Sequence, residues 1–425
     1  MMYWTVHMQG GPRRVNHAAV SIGTSVFTFG GYCSGADYRN FKPIDIHVLD
    51  TVKLKWWKLD QDKNCTCTPF QRYGHTAVAY GSKVYLWGGR NDNEVCNDLF
   101  CFDTGTLKWS KPITRGTIPV ARDGHSACII KNCMYIYGGF QESQFSQDLY
   151  KLDFRTMLWH NIRTEGIPPS LRDFHTATAI DDKMYIFGGR GDMYAPRQTD
   201  REVYCSEVYY FDTTLNRWVH PTLNGVKPPG RRSHSAFVHN GFLYIFGGFN
   251  RNMNLHFKDI NRYDPVSSTW MMITPKGTSP CARRRQICLV INDQVFISGG
   301  TSPNPRKTDI SSRQQDYDLT DSSMNQLKDH DDLHVLNLNP SLKDMCLVHM
   351  WEYAEEGKRP TDNLLIPETL RNDLAEVDPF EKTDVATTRR EFEENYPALP
   401  ALPAPPAPPA PPAPPERYQW RVFEN

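Results

Sequence analysis

Short apolar runs of four or five residues recur along most of the chain, each bounded by polar turn residues. One set reads VFTF, VYLW, MYIY, MYIF, LYIF and VFIS, rich in β-branched and aromatic residues. Runs this short fit strands better than helices. Another apolar run precedes each across a polar turn, such as Lys131-Asn132 or Asn240-Gly241, which predicts hairpins. A third set ends in Asp: IHVLD at Asp50, LFCFD at Asp103, LYKLD at Asp153, VYYFD at Asp212 and INRYD at Asp264. Six residues after each Asp comes a Trp, at Trp56, Trp109, Trp159, Trp218 and Trp270. Each unit is therefore predicted to hold four strands, with the Asp opening a turn and the Trp starting the fourth strand.

The spacing is periodic. Gly doublets stand at Gly30-Gly31, Gly88-Gly89, Gly138-Gly139, Gly188-Gly189, Gly247-Gly248 and Gly299-Gly300. Thirteen residues before the first Gly of each come His17, His75, His125, His175, His234 and Gln286. Three residues before those come Arg14, Arg72, Arg122, Arg172, Arg231 and Arg283. A repeat of about 50 residues that makes four short strands cannot bury a core alone, so six of them must pack radially, as a β-propeller. The sixth unit runs LHVLN to Asn337, but Lys343 stands where a Trp is expected. An unassigned Trp4 lies upstream of Arg14, so the N-terminal strand is expected to complete the sixth blade. Closing the ring that way removes an exposed sheet edge.

These motifs resemble those of kelch-repeat proteins across roughly residues 4–340. The expected fold is all-β, a six-bladed kelch β-propeller over residues 1–340 closed by an N-terminal strand and followed by a short α-helical tail. The polar segment 301–332 reads as a disordered loop of the sixth blade.

Composition narrows the chemistry. With 48 Lys+Arg against 48 Asp+Glu, the chain as a whole has no nucleic-acid footprint. No apolar stretch is long enough to span a membrane. The opening MMYWTVHMQGG lacks the pattern of a secretory signal, and 11 scattered Cys form no C-x-x-C pair. The expectation is reduced thiols and a cytoplasmic or nuclear location. No G-x-S-x-G, H-E-x-x-H or P-loop occurs, so a non-catalytic role without metal or cofactor is expected. The repeated His residues read as structural groups, each bonded within its own blade, rather than as metal ligands.

The arginines suggest a site. Strand one begins where the antiparallel strand two ends, so each R-x-x-H Arg is expected on the same rim as the residue after Gly-Gly. Those residues are Tyr32, Arg90, Phe140, Arg190, Phe249 and Thr301. The expected channel mouth thus gathers all six of these Arg, Arg14, Arg72, Arg122, Arg172, Arg231 and Arg283, with Arg90, Arg190, the aromatics Tyr32, Phe140 and Phe249, and Asp123 and Asp173. Guanidinium forks suit carboxylates and aromatic walls suit a peptide, which points to an anionic peptide group as ligand.

Beyond the repeats, Leu342, Cys346 and Met350 fall on one helical stripe, and Ile366-Pro367, Leu370 and Leu374 on a second. Helices over 341–376 would have no propeller core left to enter, so they are expected to meet a partner. Residues 377–425, with their Ala-Pro-Pro run, read as a disordered Pro-rich tail. The first stripe resembles a BC box, which docks elongin C; the second resembles a cullin-2 box, with Thr369 where a cullin-5 box would want a second Pro.

In combination these features resemble the kelch-repeat substrate receptors of cullin-2 RING ubiquitin ligases. That resemblance implies elongin B/C, cullin-2 and its RING subunit as partners, and C-terminal peptides ending in Gly as ligands. It places Arg190 on the terminal carboxylate, whereas Arg232 departs from a Ser that assists in a sister protein of the family. Asp123 and Asp173 would then face a basic residue before the terminal Gly. The alternative is a kelch scaffold or cytoskeletal protein; a copper oxidase finds no ligand cluster.

Overall fold

The computed structural model describes residues 2–39, 41–61, 65–304 and 327–341. All regular elements among them are strands; most form six four-stranded antiparallel blades, two of which gain a short parallel fifth strand, and the rest form two-stranded hairpins on the connectors. In the third, Ser126–Ile130, Cys133–Tyr137, Leu149–Asp153 and Leu158–Asn161 follow one another outward. The first strands of neighbouring blades touch in a closed ring, which makes them the channel wall.

Six apolar clusters form the core, one in each joint between blades. Each holds one Trp of the repeat: Trp56, Trp109, Trp159, Trp218, Trp270 and, in the last, Trp4. The strand Tyr3–Met8 pairs with Leu333–Asn337 as the outer strand of blade six, as expected from the missing Trp. The equivalence is detailed. A Cβ on Gly116, Gly166, Gly225 or Gly277 would fall 2.3–2.7 Å from the carbonyl oxygen of Trp159, Trp218, Trp270 or Trp4. Trp4 thus occupies the same niche as its three counterparts. The Asp residues accept from backbone N–H groups two and three residues on, as Asp103 does from Gly105 and Thr106.

Backbone bonds join the blades. The N–H of the second Gly of each doublet donates to the carbonyl of the next blade's R-x-x-H Arg: Gly31 to Arg72, Gly89 to Arg122, Gly139 to Arg172, Gly189 to Arg231, Gly248 to Arg283 and Gly300 to Arg14, all at 2.7–2.9 Å. A second belt lies one turn further in. Asn16, Gly74, Gly124, Phe174, Ser233 and Arg285, all at positive φ, each donate to the carbonyl of the preceding blade's member, and Asn16 closes the circle on Arg285.

Three expectations need correction. The repeated His do not bond within their own blades: the Nε2 atoms of His125, His175 and His234 meet the Thr76, Ser126 and Thr176 hydroxyls of the preceding blade at 2.6–2.9 Å. They are joint residues because the Gly-rich corner of the neighbour leaves room for a flat ring. Second, the ends of the 301–332 segment are ordered, with Thr301–Pro303 paired to Leu327–Asp329. Residues 305–326, the helices over 341–376 beyond Ser341, and the tail 377–425 lie outside the described residues. The third correction concerns the arginines, taken up with the site.

The joints make a sharp prediction. Gly139 has φ +99°, and a Cβ there would lie 2.9 Å from both the Asp123 carbonyl oxygen and the His125 Cβ, whereas one on Gly23 (φ +59°) would meet nothing within 4 Å. Gly139→Ala should cost about 2–5 kcal/mol and Gly23→Ala only about 1 kcal/mol, as read by urea unfolding.

Candidate functional site

At one end of the channel the residue after each R-x-x-H Arg forms a two-way bridge with the residue after the Gly doublet of its own blade. The pairs are Val15–Tyr32, Tyr73–Arg90, Asp123–Phe140, Asp173–Arg190, Arg232–Phe249 and Arg284–Thr301. This is the rim foreseen from the antiparallel hairpin, but shifted by one residue. Side chains alternate along extended backbone, so the Arg points into the blade and its successor points to the mouth. Arg122, Arg172 and Arg231 are at most 2 % exposed. Their Nε–H groups donate to the carbonyls of Val120, Ser170 and Pro229, and Nη1 to those of Gly138, Gly188 and Gly247. They stiffen the Gly-Gly corner and cannot reach a ligand in the mouth.

The rim is chemically sorted. Blades one and two bring the edge-to-face rings of Tyr32, Tyr38 and Tyr73. Blades three and four bring carboxylates. Asp173 is 1 % exposed and receives both Nε–H (3.0 Å) and Nη2–H of Arg190. Arg190 also donates to Glu202 at 3.3 Å, and Glu202 further takes Arg232 (3.4 Å) and the Tyr204 hydroxyl. Burial alone would lower the Arg190 pKa, but Asp173 and Glu202 outweigh it and hold the guanidinium charged. Burial likewise opposes ionisation of Glu202, and Arg232, Tyr204 and Arg190 together pull its pKa below the usual value. Blades five and six bring Arg232, Arg284 and Arg285.

Between the blade-three and blade-four connectors opens a cavity of about 600 Å³, lined by Phe140, Ser143, Arg190, Thr199, Glu202 and Arg251. The inner hydrogen-bonded belt narrows the channel beneath, where a second cavity of about 210 Å³ remains. Arg90 bridges Tyr73 and faces Asp123 electrostatically. Of the expected site residues, the structure thus gathers Arg90, Arg190, Arg232, Asp123 and Asp173 and withdraws Arg122, Arg172 and Arg231. Leu342, Cys346, Met350, Ile366, Pro367, Leu370 and Leu374 lie outside the described residues.

Sequence reading missed Glu202, Tyr204, Arg251, His256, Arg284 and Arg285. The first four sit on connectors between strands two and three, whose length and composition do not repeat. Arg284 did carry a signal, since it occupies the repeat position of Asp123, Asp173 and Arg232. Among the described residues one trio has metal-binding potential, His7, Asp332 and His334. Both Asp332 oxygens already receive Arg283, at 2.6 and 2.7 Å, and His334 adds a third contact at 3.2 Å. That group closes blade six, with Asp332 already neutralised by Arg283.

Residues 74–300 match the KLHDC2/KLHL20/DRC7 Kelch-repeats domain. Kelch domain-containing protein 3 of Bos taurus is 47 % identical over 361 residues, 83 % of this chain and 91 % of that protein. The Mus musculus protein of the same name is 45 % identical over 382 residues, covering 88 % of this chain and 95 % of its own.

The mouth carries a pH signature. Burial, with Asp173 nearby, pushes the Asp123 carboxyl up to about 6 against the pull of Arg90 and Arg190, and its Oδ1 has no partner. The folded chain therefore holds this proton more tightly than the unfolded one, where Asp titrates near 3.8. The stabilisation is complete below that value and is lost as pH rises through about 6. Urea unfolding from about pH 4 to about pH 7 should show Asp123→Asn losing less stability than wild type, by up to about 3 kcal/mol.

Proposed function

The chain belongs to the family of kelch domain-containing protein 3, and from that premise we propose that it is the substrate-recognition subunit of a cullin-2 RING ubiquitin ligase. The propeller mouth binds the C-terminal peptide of a substrate, ending in Gly. The segment after the ring docks elongin B/C through Leu342, Cys346 and Met350, and cullin-2 through Ile366, Pro367, Leu370 and Leu374. The chain performs no bond chemistry and uses no metal or cofactor. It holds the substrate within reach of the associated enzymes, which convert proximity into rate. Cytoplasm and nucleus are the compartments where these partners would be met.

The observation that carries the ligand reading is the division of the mouth. Tyrosine rings line blades one and two, the buried carboxylates of blades three and four are paired with or face Arg90 and Arg190, and blades five and six bring the further guanidinium groups of Arg232, Arg284 and Arg285. An extended chain end offers the complement: a carboxylate at its tip and, a little before it, a cationic side chain. A terminal Gly lets the carboxylate approach closely, since it adds no Cβ. The ligase half rests on the order of the two boxes behind the ring. A scaffold that binds only through blade loops has no use for them.

Copurification tests this half directly. The wild-type chain should recover elongin B/C and cullin-2, and Leu342→Ala/Cys346→Ala should recover neither. Absence of both from the wild-type eluate would sink the ligase reading in favour of a scaffold.

A further inference from the structure

Away from the ligand groups of the mouth, one exposed nucleophile is set into a charged cluster. None of the ten cysteines among the described residues is in a disulfide, and Cys281 alone of them is exposed. It stands two residues before Arg283, where the other repeats carry Pro12, Phe70, Val120, Ser170 and Pro229, none of them a thiol or an ionisable group. As at Phe70, Val120, Ser170 and Pro229, its backbone carbonyl accepts the Nε–H of the joint Arg, here at 3.3 Å. The side chain is what sets blade six apart. Arg283 also turns its Nη2 onto Cys281 Sγ, at 3.2 Å.

His330 approaches the same sulfur from the far end of the sixth-blade connector. Its Nε2 lies 3.5 Å from Cys281 Sγ and 2.7 Å from Ser302 Oγ, and its Nδ1 lies 3.8 Å from Asp332 Oδ2. The carboxylate favours the ring proton on Nδ1, which leaves the Nε2 lone pair for the hydroxyl and the thiol. Burial, then Arg283, lowers the His330 pKa to about 4 against the pull of Asp332, so the ring is neutral at physiological pH and can accept. Burial opposes the charge on Arg283, but Asp332, with Cys281 adding to it, outweighs burial and keeps the guanidinium ionised. A carboxylate that orients an imidazole, an imidazole that faces a thiol and a cation beside the sulfur make up an activated cysteine.

We propose that Cys281 is a site of reversible oxidation by hydrogen peroxide, with Arg283, His330 and Asp332 as its positioning residues. The sulfur attacks one peroxide oxygen, an S–O bond forms as the O–O bond breaks, and the sulfur loses two electrons to become a sulfenic acid. Arg283 steadies the charge on sulfur during the attack. The thiol proton passes by way of His330 Nε2 to the departing hydroxide and makes water, so thiol and peroxide give sulfenic acid and water with no change in net charge. A small thiol such as glutathione reverses the step. One molecule displaces water and leaves a mixed disulfide, and a second releases Cys281 with a small-molecule disulfide. The mark sits on the fork that carries the joint between blades five and six, since the Arg283 carbonyl accepts from Gly248 and its Nη1 donates to Gly299.

The test treats the reduced full chain with hydrogen peroxide, traps sulfenic acid with dimedone and follows each cysteine by peptide mass spectrometry. A synthetic peptide of residues 276–286 keeps Cys281 and its neighbouring arginines but lacks His330 and Asp332, so it gives the rate of the same thiol without the fold. Cys281 in the folded chain should be trapped about tenfold or more faster than in the peptide, which exposure alone cannot produce. His330→Gln should bring the rate to within about threefold of the peptide's. Ser302→Ala removes the hydroxyl that competes for Nε2 and should raise the rate above wild type, a result that loss of the fold cannot imitate. Added glutathione should return the trapped fraction to that of untreated chain. The proposal is overturned if folded Cys281 reacts no faster than the peptide, or if another cysteine is trapped first. It is equally overturned if His330→Gln keeps the full rate, or if Ser302→Ala with a wild-type urea midpoint shows no rise.

Discussion

Everything in this molecule depends on one backbone contact, the hydrogen bond from the second Gly of each doublet to the Arg carbonyl of the next blade. It brings two main chains so close that a Cβ at the doublet would fall within about 3 Å of its neighbours. That closeness fixes where the next blade begins, and with it the angle between blades. The buried Arg fork then ties the Gly carbonyl to the segment two residues upstream, and the His ring fills the corner. Repeat stability comes from such nearest-neighbour terms rather than from any single blade. Because the sixth contact runs from Gly300 to Arg14, the ring has no first or last joint.

The same arrangement divides labour along four residues. Arg and His, at either end of R-x-x-H, are committed to the joint. The second residue of the motif faces the mouth, where it is free to differ: Val15, Tyr73, Asp123, Asp173, Arg232 and Arg284. The third turns through positive φ to build the inner belt. Function can therefore vary at one position per blade without disturbing the scaffold, and the aromatic, acidic and basic sectors of the rim are that variation laid out in a circle.

This explains what was legible in the sequence. The repeat, its four strands, the Asp turns and the closing role of Trp4 could all be read, since each is written as a spacing and spacings survive translation into structure. The antiparallel hairpin locates the rim, yet it does not show that Arg122, Arg172 and Arg231 turn into the blades rather than toward the mouth. A strand end says where a residue lies, whereas the facing alternates with every step, and the burial of a charged fork among carbonyls leaves no mark in composition. Glu202 and His256 were invisible for a different reason. They ride on connectors that do not repeat, and only the folded ring brings them beside Arg232 and Phe249.

The closing strand has a consequence in time. Trp4 belongs to the core shared with Leu336, so its partner is made only after more than 300 further residues. At ribosomal rates of about 5–20 residues per second, the first strand waits on the order of tens of seconds with its edge and its indole uncovered. During that interval the nascent chain is an open arc with two sticky ends, one at each extremity of the ring. The ring closes only when Tyr3–Met8 and Leu333–Asn337 meet, so its last joint is made from its earliest and latest strands.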